Sequence, residues 1–274
     1  MSGIIKPPLW ASLNLDHPLA AGLVGCWLFN EGSGNKAHDY SGQGNVGTLI
    51  NMNDPPIATS GWNAGPHGGA LAFDGVNDGL IVTNNSGLQQ ALAFDFTVIL
   101  RLKNAPNAET DARLFSKRST NSFDIFTTTS NGWLNGYFKT AAGSTQVSYL
   151  GIILGDGLHR DIVLTRNGTT GQIKTYSNGA YKGAFETLAT GNMSDAANLY
   201  IGQYGGNIRY LNGLISSVSI YNRALSAEEI AYLYAFPYCM FEIYQPWEYL
   251  FTPIWKKLAF EDDVKNFSLC VGTQ

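Results

Sequence analysis

Ile173–Phe185 reads IKTYSNGAYKGAF. Two short runs carrying β-branched and aromatic residues flank Asn178-Gly179, and a two-residue turn of that kind needs positive φ at both central positions, which Asn and Gly accept. The stretch is therefore expected to fold as a tight hairpin, with strands at 173–177 and 180–185. The same grammar recurs in both directions. Leu23–Phe29, Gly47–Ile50, Ala70–Phe73, Leu80–Val82, Phe96–Leu102, Arg113–Lys117, Phe123–Thr127, Trp133–Phe138, Gln146–Tyr149, His159–Thr165, Leu199–Ile201 and Gly213–Tyr221 are short apolar runs bounded by Gly, Asn and Asp. With the hairpin they make about fourteen strands, the spacing of an all-β, two-sheet antiparallel jelly-roll sandwich.

Composition agrees. Charged residues are 14% of the 274, well under the usual ~25%, and the chain holds 31 glycines, which suits many turns and rules out a coiled coil. One helix is expected: Ser226-Ala227-Glu228-Glu229 is a capping box, Ile230, Leu233 and Tyr234 follow at helical spacing, and Pro237 ends the run. A net charge of −4 without a basic block speaks against nucleic acid as a partner. No apolar run approaches ~18 residues, so membrane insertion is not expected. The opening residues, broken by Pro7, Pro8 and Pro18, do not read as a signal peptide. Cys26, Cys239 and Cys270 are too scattered for a disulfide framework or a zinc site, and Cys26 is expected as a buried thiol.

Three segments follow from these patterns: an N-terminal arm (1–18), the sandwich (19–236) and an aromatic-rich extension (237–274). The extension contains Trp247, Tyr249, Phe251 and Trp255. These either wrap over their own sandwich or dock on a neighbouring subunit, since exposed aromatic patches mark interfaces.

GLVGCWLFNEGSG (22–34), DYSGQGNVGTL (39–49), GGALAFDGVNDGLIV (68–82), LYIGQ (199–203) and NGLISSVSIYNRALSAEEIAYLY (212–234) together resemble the laminin-G-like branch of the concanavalin A-like lectin/glucanase superfamily. The resemblance runs over residues 22–234 and implies the jelly-roll fold; that fold hosts lectins, glycosidases, adhesion modules and virion proteins. It also raises calcium, which needs several oxygen ligands at once. Asn77-Asp78 resembles, in reversed order, a pentraxin calcium pair, but the stretch from Gln203 to Asn207, where such proteins supply further ligands, holds no carboxylate. A second implied site uses oxygens near the Glu31 turn and an Asp on the last long strand, where this chain has Ser216. Glu31, Asp39, Asp74, Asn77 and Asp78 are thus the candidate ligands for a structural Ca2+; turn capping is the plainer role for Asp74 and Asp78.

Glycan binding calls for aromatic platforms beside polar groups. The candidates are Trp62, Trp133 with Asn135, Tyr204 and Tyr210. Catalysis finds no support: the Glu-x-Asp-x-Glu run of glucanases is missing, Glu228-Glu229 and Asp262-Asp263 are the adjacent acids, and the four histidines stand far apart. The chain as a whole resembles laminin-G-like products of tailed phages. That resemblance implies a non-catalytic virion surface protein, either a capsid decoration or a fibre-associated one. It would join self or other virion subunits through arm and tail, with cell-surface glycans as candidate partners. The alternative is a soluble or exported, extracellular lectin.

Overall fold

The hairpin forms as read: Ile173–Ser177 pairs antiparallel with Ala180–Phe185, and Asn178 and Gly179 take φ of 52° and 75°. Around it, a computed structural model describes residues 5–104, 111–119, 121–128, 132–147, 149–205 and 208–242 as two antiparallel sheets of eight strands each. One sheet runs, edge to edge, Ala180–Phe185, Ile173–Ser177, His159–Arg166, Phe96–Asn104, Asn212–Tyr221, Gly68–Asp74 and Gly61–Gly65; Leu23–Trp27 pairs with the second half of Asn212–Tyr221. The other runs Gly143–Val147, Leu134–Thr140, Ser122–Thr127, Arg113–Arg118, Leu199–Ile201, Gly79–Val82, Gly47–Ile50 and Lys36–Ala37.

The period of two decides what each face does. In the first sheet Phe96, Val98, Leu100 and Leu102 point between the sheets, while Ile99 points away into a second apolar cluster. Val163, between Ile162 and Leu164, does the same. That second cluster lies under the helix Ala227–Ala235, whose Ile230 and Leu233 it includes. This sheet is therefore buried on both faces, which is why TVILRL and DIVL read as almost unbroken apolar runs. The capping box exists: Ser226 Oγ accepts from Glu229 N at 3.2 Å and Glu229 Oε2 accepts from Ser226 N at 2.8 Å. The helix crosses the hairpin so closely that a Cβ on Gly179 would lie 3.0 Å from Tyr234 Cβ.

The chain before and after the sandwich meets on this same side. Ser12–Leu13 pairs with Phe241–Glu242, Asn14 N donates to Met240 O at 2.8 Å, and Met240 is buried in the second cluster with Tyr238 and Phe241 packed against it. Buried Arg101 binds this layer to the sheet, pairing with Asp161 at 2.7 Å and donating to Leu233 O at 3.0 Å. Cys26 is buried, as expected.

Besides the two-residue strands Ser12–Leu13, Lys36–Ala37 and Phe241–Glu242 and the 3-10 turn Pro18–Ala20, two elements were not expected from the sequence. Ser86–Ala91 is a short helix capped by Asn85, whose side chain accepts from Leu88 N at 2.8 Å; six residues are too few for a readable period. Gly61–Gly65, expected as loop, is an edge strand paired with Gly68–Asp74; GWNAG has no β-branched residue to signal it. Among the described residues, no helix is long and apolar enough to cross a membrane.

Candidate functional site

The sheet opposite the helix carries the exposed chemistry. Alternation along Leu134–Thr140 sends Leu134 and Phe138 into the core and turns Asn135 and Tyr137 outward. Just before this strand stands Trp133, 37% exposed, and its ring centroid is 4.9 Å from that of Tyr149, 38% exposed, with the planes tilted by 42°. Ile153, bridged to Trp133, is exposed beside them. The platform is braced from below. Leu134 N donates to Ile152 O at 2.9 Å, Leu150 N to Leu134 O at 2.7 Å and Leu154 N to Gly132 O at 2.7 Å, so the 149–154 segment is laced to the strand. Tyr149 sits at φ 75°, a backbone state that a bulky L-residue adopts only under constraint.

Asn135 supplies that constraint. Expected as a ligand contact, it is 1% exposed and turned to the backbone instead: Nδ2 donates to Trp133 O at 3.0 Å and Oδ1 accepts from Tyr149 N at 2.8 Å. The structure thus brings Trp133 and Asn135 together and adds Tyr149, which no sequence signal marked as a ring partner.

The other aromatic candidates are apart from this pair in kind. Trp62, expected as an open platform, is 5% exposed in the core, its indole N–H donating to Gly34 O at 2.7 Å. Its place on the edge strand buries the ring, leaving it as one wall of a shallow depression of about 310 Å3 shared with Phe29, Gly32 and Asn63. Tyr204 is half-buried beneath the guanidinium groups of Arg113, Arg118 and Arg209. Tyr210 is half-buried beyond the same turn. Residues 131, 206 and 207, beside these rings in sequence, lie outside the described residues, as do Trp247, Tyr249, Phe251 and Trp255.

The candidate calcium ligands make local hydrogen bonds, while Glu31 Oε2 and Asp78 Oδ1 are buried without a partner. Asp39 accepts from Cys26 N, Ser41 N and Asn45 N at 2.8–2.9 Å, which makes it the brace of its loop. Asp74 Oδ1 caps Val76 N and Asn77 N, and Asp78, fully buried, accepts from Asp74 N at 3.1 Å. Asn77 is exposed, and its carbonyl accepts from Asn51 Nδ2. Burial raises the Asp78 carboxyl above its ordinary range, with Asp74 adding to the effect and a Ser60 hydrogen bond opposing it. Glu31 Oε1 accepts from His38 N at 2.6 Å. Among the described residues no three His, Cys, Asp or Glu side chains gather as a metal site.

Near the Glu31 turn and Ser216 a different cation is present. The ammonium of Lys6, on the arm, donates to the backbone carbonyls of Leu28, just past the strand Leu23–Trp27, and of Gly69 and Ser216 in two strands of the same sheet. Burial lowers its pKa to about 7; Arg101 pushes the same way, and Glu31 pulls back.

A family model described as the concanavalin A-like lectin/glucanases superfamily matches residues 74–231. Among curated proteins, none matches significantly. Several solved structures share the fold at low identity. The binding domain of Paraclostridial mosquitocidal protein 1 superposes with a TM-score of 0.61 and 16% identity over 79% of this chain and 52% of that one. Domain 4 of AbnA, an extracellular arabinanase from Geobacillus stearothermophilus, gives 0.58 and 16% over 78% of this chain and 98% of that one. The binding domain of botulinum neurotoxin DC gives 0.56 and 14% over 79% and 52%. The chain spans about half the length of the two toxin structures and nearly all of the arabinanase domain.

Proposed function

The chain belongs to the concanavalin A-like lectin/glucanases superfamily, and on that premise we propose that it binds carbohydrate without altering it. The observation that carries this reading is the Trp133–Tyr149 pair: two exposed rings, held by a buried Asn and a strained backbone, as a preformed stacking surface for the apolar face of a sugar. The likeness to an arabinanase domain solved with arabinotriose and to a toxin binding domain solved with SialylT supports the same class of ligand.

A non-catalytic role is supported by how the carboxylates are used. Glycoside hydrolysis takes a pair of acids across an open cleft. Here Asp124 is buried against arginines, Asp161 pairs with Arg101, and Glu229 closes the helix cap. The setting we attach to the role is the surface of a tailed-phage virion, on the strength of the sequence pattern alone; an extracellular lectin is the alternative.

The test is a glycan array on the whole chain, followed by titration of the best ligand against Trp133→Ala and Tyr149→Ala. Loss of at least tenfold in affinity, about 1.4 kcal/mol, is expected from each. Binding that survives both substitutions would move the site elsewhere, and an array without any hit would remove carbohydrate from the reading.

A further inference from the structure

Three guanidinium groups surround one ring. The central carbons of Arg113, Arg118 and Arg209 lie 5.7, 5.5 and 5.6 Å from the centroid of Tyr204. Arg113 also stacks at 4.0 Å on Phe126, and Arg118 at 4.8 Å on Tyr137. Cation–π contact explains how the cluster is held, but not how its charge is balanced. The ion-pair partner here among the described residues is Asp124, fully buried. Its Oδ2 accepts from Arg118 Nη1 at 3.3 Å and its Oδ1 accepts from Ser116 Oγ at 2.6 Å.

Arg113 is left short. It is 3% exposed; Nη1 donates to Asp111 O, but Nε stands 3.8 Å from Asp124 and is buried with no acceptor. A buried N–H without a partner costs roughly 1–3 kcal/mol, more on a charged group. Burial lowers the Arg113 pKa; Arg209 and Arg118 lower it further, against Asp124 and Asp111. Arg209 is held in this crowd at φ 61°, its carbonyl accepting from Arg113 N at 3.0 Å.

Arg113 and Arg118 stand two strands over, in the same sheet, from the strand that carries Asn135. Register places Asn135, which braces the platform, opposite Phe126 and Phe126 opposite Arg113, so two strand spacings, about 10 Å, separate Asn135 from Arg113. The geometry points to an anion subsite, formed by Arg113, Arg118, Arg209 and Tyr204, that takes the carboxylate of an acidic sugar while a neighbouring ring rests on Trp133 and Tyr149. The planar guanidinium fork matches a carboxylate bidentately, and an incoming anion relieves the repulsion among the three cations. This inference rests on the carbohydrate reading and narrows it to anionic glycans.

Calorimetric titration of the full chain with matched probes tests it: 3′-sialyllactose against lactose, and trigalacturonate against its methyl ester. In at least one pair the acid is expected to bind tenfold or more tightly than the neutral partner, and which pair responds separates sialic from uronic acids. Arg209→Gln, at an exposed position, and Arg118→Gln should each bring that ratio below about threefold, roughly 0.7 kcal/mol. Acid and neutral probes binding alike would overturn the anion subsite and leave carbohydrate binding standing. A preference unchanged in both variants would overturn it as well. Binding of none of the four probes, with an empty array, would remove both readings.

Discussion

Asn135 holds Tyr149: its Oδ1 accepts the Tyr149 backbone N–H at 2.8 Å, and its amide returns a hydrogen bond to Trp133 O at 3.0 Å. One buried side chain thereby sets the spacing of two exposed rings that are neighbours in space and 16 residues apart in sequence. Asn135→Ala leaves both backbone groups without that partner. It is expected to lower stability by about 1–3 kcal/mol and to weaken glycan binding although residue 135 touches no sugar. Thermal unfolding and titration check the two parts; unchanged binding with reduced stability would deny Asn135 its positioning role.

Tyr149 at φ 75° separates backbone strain from the ring's contribution. Glycine accepts this conformation and alanine does not, so Tyr149→Gly should be more stable than Tyr149→Ala by about 1 kcal/mol, while both lose the platform. Equal stability in denaturant unfolding would mean that the backbone carries no strain there.

Lys6 makes stability depend on pH. Its folded pKa is lowered to about 7 from 10.5, and Lys117, which donates to Asn84 Oδ1 and Ala197 O, is lowered by burial to about 8. Between those values and 10.5 the unfolded chain keeps protons that the folded chain has released, so stability rises with pH across that window. Tm should climb from pH 7 to about pH 9. In Lys6→Met the climb should be visibly shallower; a slope equal to wild type would show that Lys6 does not titrate there.

Calcium is tested on the intact protein. With Asp39, Asp74 and Asp78 accepting backbone N–H groups and the Lys6 ammonium lying near the Glu31 turn, adding calcium or a chelator is expected to leave Tm unchanged. A chelator-induced drop would return the ion to the Glu31 or Asp74–Asp78 region.

The packing of Tyr238, Met240 and Phe241 predicts the outcome of truncation. A chain ending at Pro237 loses Met240 from the second cluster and the partner of Ser12–Leu13, and should be less stable than one ending at Glu242 by about 2–5 kcal/mol. Equal unfolding midpoints would show that the sandwich ends at Pro237.

Much of the fold was legible because its signals are local. Asn178-Gly179 announces a turn through tolerance of positive φ, Ser226 and Glu229 announce a helix start, and alternating apolar residues announce strands whatever they pair with. Gly61–Gly65 and Ser86–Ala91 escaped because neither carries enough residues of the right type. The candidate site was legible only in part: Trp133 was visible as an aromatic beside polar neighbours, but Asn135 was given a surface role that its burial denies, and Trp62 was given an open face that its edge strand closes.

By itself, then, the sequence determined the all-β class, the hairpin, the capped helix and the presence of glycan-compatible aromatics, since each depends on residues within a few positions of one another. Tertiary structure alone decided which aromatics are open, that Tyr149 joins Trp133, and that Arg113, Arg118 and Arg209 converge on Tyr204. Those meetings depend on strand register and sheet order across tens of residues, and a one-residue slip in register would turn strand residues such as Arg113 and Arg118 to the opposite face.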